Sequence, residues 1–236
     1  RIDRSGDWDV FRFEGRAGSE IVAEVAARRL NSPLDSLLKL SDASGRQLAT
    51  NNDHEDKGAG LLTHHADSWL RVTLPADGTY YLHLGDAQHE GGAEYGYRLR
   101  ISPPRPDFDL RVVPCTINAR AGTSVPITVY ALRKDGFDGD ISLALKDAPE
   151  GFALSGGQVP GSQEQVRLTL TVSGTSSAEP LNLRLQGRAV ISGREVAREA
   201  VPAEDMMQAF AYRHLVPVQE LKVAVAGRSG PRTVIK

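Results

Sequence analysis

Four oxygen-bearing side chains, Asp35, Asn52, Asp53 and Asp67, carry the sharpest chemical signal in this chain. A hard cation such as calcium takes about six to eight oxygens from carboxylates, amide carbonyls and backbone. Asp7 and Asp86 are further donors of the same type. The competing reading is that Asp and Asn are simply what turns and caps use, and His54 and Lys57 dilute the local negative charge. If the carboxylates of Asp35, Asp53 and Asp67 converge, their repulsion must be offset by a cation, by a basic partner such as Lys57, or by backbone N–H groups. Calcium is the one cofactor these residues suggest.

Trp69, Tyr81 and His83 form a second candidate set, for an extracellular ligand. Trp69 alternates with Leu70 and Val72, and Tyr81 and His83 alternate with Leu82 and Leu84, so each is expected on the wet side of a strand. Trp8 is placed in the same way opposite Phe11 and Phe13. Exposed aromatics of this kind stack sugar rings, and the bland alternative is that Trp69 covers its sheet or meets a neighbouring module. The six histidines do not spell a zinc site. His64 and His65 are adjacent and would point to opposite faces of a strand, and no His-Glu-x-x-His is present. Hydrolase and nucleotide signatures are missing too, with no Gly-x-Ser-x-Gly elbow, no P-loop, and only Gly58-Ala59-Gly60 as a fragment of a dinucleotide fingerprint. No residue is assigned a catalytic role, and the fragment is not expected to be an enzyme.

Composition narrows the class. A chain of 236 residues is large for one sandwich and comfortable for two of about 100 residues each. At 40% hydrophobic residues it can build packed cores. A net charge of −2 with no basic stripe argues against a nucleic-acid partner, and Arg28-Arg29 reads as a solvated strand end. No apolar run reaches the length of a membrane helix, so no insertion is expected. Cys115 has no partner for an internal disulfide, and within Val112-Val113-Pro114-Cys115 it reads as a small core residue. The chain opens at Arg1 without a methionine and is expected to be a stretch of a longer protein, so a missing signal peptide carries no information.

These side chains must be positioned by strands, because the dominant period is two. Leu70, Val72 and Leu74 alternate with polar neighbours, as do Tyr97, Leu99 and Ile101, then Val166, Leu168, Leu170 and Val172, then Leu181, Leu183 and Leu185. Phe11, Phe13, Leu38 and Leu40 are expected in one core, and Ile127, Val129, Leu143 and Leu145 in another. Turn signals at Asp42-Ala43-Ser44-Gly45, Asp77-Gly78, Asp135-Gly136 and Ser192-Gly193 separate the runs, and Phe137 is expected to anchor its loop. The fold class is all-β, as two tandem sandwiches. Glu204 to Arg213, between Pro202 and Pro217, is the segment expected to form a short helical turn in a crossover loop. Three prolines within Ser102-Pro103-Pro104-Arg105-Pro106 mark a stiff linker, which divides the chain into domains 1–103 and 104–236. The tail from Gly227 to Lys236 is expected to fray.

The first hundred residues resemble the bacterial pre-peptidase C-terminal (PPC) domain. The resemblance rests on ordered pieces: Gly6-Asp7-Trp8-Asp9-Val10-Phe11-Arg12-Phe13 as the opening strand, Leu34 to Leu40 as the central strand, and Gly45 to Ala49 as the return. Asn51-Asn52-Asp53, then Leu74-Pro75-Ala76-Asp77-Gly78-Thr79-Tyr80-Tyr81, and finally Tyr97-Arg98-Leu99 complete the order. Residues 105 to 227 resemble a bacterial immunoglobulin-like domain through Gly136-Phe137-Asp138-Gly139, the following strand and Pro149-Glu150-Gly151. The resemblance implies a jelly-roll-like accessory module of secreted proteins, often peptidases, with some members binding calcium or collagen. It implies that Asp35, Asn52, Asp53 and Asp67 gather at one end of the sandwich. Two functions stay open: a structural region that spaces or presents another domain of the same polypeptide, or a module binding an extracellular glycan or protein, calcium-stabilised or not. Either places the chain outside the cell, in the periplasm or on the cell surface.

Overall fold

A computed structural model describes residues 1–58, 66–208 and 212–227. The chain is all-β and divides between Arg105 and Pro106 into two compact units. His64, His65 and Gly60, and the tail from residue 228 onward, lie outside the described residues.

The first unit holds seven strands: β1 (Trp8–Gly15), β2 (Glu20–Ala26), β3 (Ser36–Asp42), β4 (Gln47–Asn51), β5 (Trp69–Thr73), β6 (Gly78–Asp86) and β7 (Arg98–Ser102). They form a four-stranded sheet in the order β1-β6-β3-β4 and a three-stranded sheet in the order β5-β2-β7. All the pairings are antiparallel. The two sheets share one core: Leu38, Leu40, Tyr80, Leu82 and Leu84 from the first, and Ile21, Ala23, Val25 and Leu70 from the second. Phe11, Phe13, Val72 and Leu99 pack against it, partly buried. The side-chain period of two decides this layering, since every second residue of a strand reaches the core. Between β2 and β3 a single 3-10 turn covers Arg28–Leu30.

The second unit holds eleven strands: β8 (Asp107–Val113), β9 (Thr116–Arg120), β10 (Ser124–Lys134), β11 (Ile141–Lys146), β12 (Ala153–Ser155), β13 (Gln158–Val159), β14 (Gln165–Thr171), β15 (Leu181–Ile191), β16 (Arg194–Gln208), β17 (Tyr212–Pro217) and β18 (Leu221–Ala226). Hydrogen bonding runs through β12-β14-β10-β8-β16-β15-β11-β13, with β18 joining β15 to β9. The sheet folds over a single core that includes Phe108, Leu110, Ile127, Val129, Ile141, Leu143, Leu168, Leu170 and Leu183, with Leu145 packed against it. The β15–β16 hairpin closes on Ser192-Gly193, with Ile191 paired to Arg194. Both turn residues have positive φ, 50° and 78°, as a two-residue turn matched to the strand twist requires, and glycine takes the second at no steric cost.

The segment Glu204–Gln208 is strand, not helix. β16 pairs with β15 over Gln186–Ile191, runs parallel to β8 through Ala200–Pro202, and then forms a hairpin with β17 over Ala203–Gln208. Met, Gln, Ala and Glu favour helices, but the strand they continue is already anchored on both sides, and tertiary pairing overrides the local preference. Ala203 and Leu215 are buried in this arm, and the hairpin tip at 209–211 lies outside the described residues. Cys115 is half-buried rather than a core residue, with its Sγ donating to Glu204 Oε1 at 2.6 Å. It falls in the turn between β8 and β9, so the apolar run that suggested burial ends one residue before it.

Candidate functional site

The three segments expected to carry a metal do meet. Ser36 N donates to Ala66 O, Ser68 N to Ser36 Oγ at 2.8 Å, and Ser68 Oγ to Asn52 O at 2.9 Å. Their side chains part company. Asp67, 9% exposed, turns away to the 3-10 turn, where its Oδ1 accepts from Ala27 N (2.9 Å) and Arg28 N (2.7 Å). Its Oδ2 accepts from Arg29 N (3.2 Å) and Arg29 Nε (2.8 Å). Asp35 Oδ2 accepts from Gln88 Nε2 at 3.2 Å, and its Oδ1 is buried with no hydrogen-bond partner among the described residues. Asp86 is committed to the backbone amides of Asp35, Gln88 and Glu90. Asn52 and Asp53 are exposed and face each other at 3.5 Å. Among the described residues no group of three or more His, Cys, Asp or Glu is arranged to hold a metal ion. Asp35, Asp53 and Asp67 form no such group among the described residues; backbone N–H groups and a guanidinium offset the Asp67 charge.

Arg29 is the residue that sequence reasoning missed here. It is no solvated strand end: its guanidinium bridges Asp67 and Glu24 and donates to Val25 O at 2.7 Å. Glu24 lies on the outer side of the three-stranded sheet and also takes Arg100 Nη2 at 2.7 Å. Burial alone would raise the Glu24 pKa, but hydrogen bonds and charge from Arg100 and Arg29 outweigh it, and the carboxyl titrates below the usual glutamate range. A depressed folded-state pKa gives stability that is fully present above the unfolded value and is lost as pH falls through the folded one. Acid unfolding followed from about pH 5 downward should therefore be less steep in Glu24→Gln than in the parent chain. Parallel stability–pH curves for the two proteins would refute this.

The expected ligand set divides between the two sheets. Trp69 opens β5 on the three-stranded sheet, opposite Glu24, and stacks with His54 at 5.0 Å between ring centroids. Tyr81 and His83 sit on β6 of the four-stranded sheet, facing outward between the inward Tyr80, Leu82 and Leu84. They cannot share one platform with Trp69. Their neighbour is Trp8, which pairs with Gly85 on β6, while Val10 pairs with His83 and Arg12 with Tyr81. Across β6, Lys39 pairs with His83 and Ser41 with Tyr81.

This outer face is mixed in chemistry. A Cβ on Gly85 would lie 2.8 Å from Trp8 Cδ2, so the indole rests directly on the glycine backbone. The Lys39 ammonium sits 4.4 Å from the centre of the Trp8 ring. His83 Nε2 approaches Ser41 Oγ at 3.4 Å. Val10 is 52% exposed. Arg12 pairs with Glu14 at 3.1 Å, and Glu14 also accepts from Thr79 Oγ1.

Fold and site together define a two-unit all-β protein with aromatic residues along one outer sheet face. No family model matches the chain. Over 79 residues, 33% of its length, it is 44% identical to a protein of Deinococcus radiodurans named "Probable subtilase-type serine protease", and the match covers 10% of that protein. The chain thus spans about a tenth of the curated relative it matches. Among solved structures it is similar to the D0-D1 domain of intimin, with a TM-score of 0.27 at 12% identity over 81% of this chain and 96% of that one. A marsupial T cell receptor gives a TM-score of 0.28 at 10% identity over 95% of this chain and 75% of the receptor. TM-scores of this size carry no inference about function. No helix among the described residues is long and apolar enough to cross a membrane.

Proposed function

We propose that this chain is a non-catalytic accessory region of a larger exported bacterial protein, a PPC-like sandwich followed by an immunoglobulin-like one, which spaces or presents another domain of the same polypeptide. The observation that carries the reading is the 44% identity to one small part of a subtilase-type protease. Similarity confined to a tenth of a longer protein fits a module combined with other modules, and independent cores in two compact units suit such reuse. The site of action is then extracellular, periplasmic or at the cell surface. The test is direct. The purified chain should neither react with a fluorophosphonate serine probe nor cleave casein. Deleting it from the parent protein should leave turnover of a short chromogenic peptide intact while changing action on a large or surface-bound substrate. Probe labelling or casein cleavage by the chain alone would overturn the non-catalytic reading; identical behaviour of the deleted parent on large substrates would overturn the spacing role.

A further inference from the structure

We infer that the outer face of the β1-β6-β3-β4 sheet binds an acidic polysaccharide, with sugar rings lying on Trp8 and their carboxylates drawn to Lys39. The inference concerns ligand chemistry and stands apart from the accessory role, so either can fail alone.

The first support is Gly85. It occupies the interior of β6, the strand paired on both sides, where glycine weakens a sheet and often marks a close approach. Here the approach is that of the Trp8 indole, which any side chain at 85 would lift. The result is an aromatic plane lying along the sheet rather than standing up from it, a shape suited to the C–H face of a pyranose ring. Tyr81, His83 and residue 85 step along β6 at about 3.4 Å per residue, so the strip from Trp8 to Tyr81 runs roughly 13 Å. That suits an extended polymer better than a small molecule.

The second support is charge. Among the described residues Lys39 has no carboxylate partner; its ammonium rests on the Trp8 ring. The acids bordering the face already have cationic partners: Glu14 pairs with Arg12 and Asp42 with Arg46, while Asp9 pairs with the inward Leu84 and belongs to the other side of the sheet. Among the described residues the face therefore carries one uncompensated positive charge beside its aromatic plane, within a chain whose net charge is −2. A cation–π contact at an exposed site is weak, so a carboxylate can draw Lys39 aside and uncover the indole in the same movement. Ser41, His83 and Tyr81 supply hydroxyl and imidazole groups along the strip for sugar hydroxyls.

Affinity electrophoresis and titration of the intact 236-residue chain with polygalacturonate test this, with hydroxyethylcellulose and poly-glutamate as comparison polymers. The expected result is retardation by polygalacturonate alone, weakened by added salt. Trp8→Ala and Lys39→Gln should each reduce affinity by about tenfold or more, as truncation of a central anchor does. Lys222→Gln in the second unit should have no effect. Melting curves show whether Trp8→Ala has kept its fold; Lys39→Gln removes only an outer-face charge and keeps the test decisive if it has not. No binding to polygalacturonate would overturn the proposal, as would equal binding to the neutral polymer, or equal binding to poly-glutamate with no loss in Trp8→Ala.

Discussion

Replacing Asp67 with alanine is expected to destabilise the first unit by about 3–5 kcal/mol, the range for removing one partner of a buried charged network. The carboxylate serves four donors at once: the amides of Ala27, Arg28 and Arg29 and the Arg29 Nε. Ala27 is fully buried, so its N–H finds no water when the acceptor goes, and an unsatisfied buried donor costs about 1–3 kcal/mol by itself. The Arg29 guanidinium is a third exposed and screened by solvent, and it contributes the smaller share. Asp67→Asn keeps one acceptor oxygen and should fall between the alanine variant and the parent. Both tryptophans lie in the first unit, at 8 and 69, so tryptophan fluorescence during urea unfolding reports this unit directly. Hydrogen exchange at residues 27–29 gives a second reading. A loss under about 1 kcal/mol would show that water or a shifted loop replaces the carboxylate.

This same residue shows where sequence reading stops. That Asp67 sits before a strand is legible from the order of turn and strand signals, and its place beside Asn51-Asn52-Asp53 is what the family resemblance implies. What its carboxylate touches is not, because the three amides belong to a 3-10 turn some forty positions earlier, and only the folded sandwich brings them into range. The pattern of inward residues was legible for the opposite reason: register follows from a strict period of two, and Leu38, Leu40, Leu82 and Leu84 announce it locally. Outward direction was legible as well, so Trp8, Tyr81 and His83 could be placed on wet faces. Grouping them was not, since the assignment of β5 to one sheet and β1 and β6 to the other depends on crossovers that leave no local mark. Trp69 was thus grouped with residues of the other sheet, while Trp8, on the strand paired with that of Tyr81 and His83, was not. The hairpin at Glu204–Gln208 was lost because its side chains favour helix while its neighbours impose strand.

The second unit should respond as strongly to Phe137→Ala, at about 3–5 kcal/mol for a buried aromatic whose site cannot collapse. Phe137 follows the tight Asp135-Gly136 turn after β10, where both residues adopt positive φ, and its ring swings inward to 7% exposure. There it stacks on Phe108 of β8 at 5.5 Å, with the planes 27° apart. The Arg133 guanidinium covers the ring at 5.3 Å, and a Cβ on Gly139 would come within 2.8 Å of it. The ring therefore fills a slot closed by β8, by an arginine and by glycine backbone. Arg133 is fixed in place by Gly139 O at 2.7 Å and Pro160 O at 2.8 Å, so it cannot follow the void inward without giving up both bonds. Phe137→Leu keeps much of the volume and should cost markedly less. Arg133→Ala combined with Phe137→Ala should cost less than the sum of the two single changes, because each removes contacts with the other. Hydrogen exchange in β8, β10 and β11 during denaturant unfolding measures all of these variants. A loss below about 1.5 kcal/mol for Phe137→Ala, or strict additivity in the double variant, would mean that the loop repacks and that Phe137 does not anchor it.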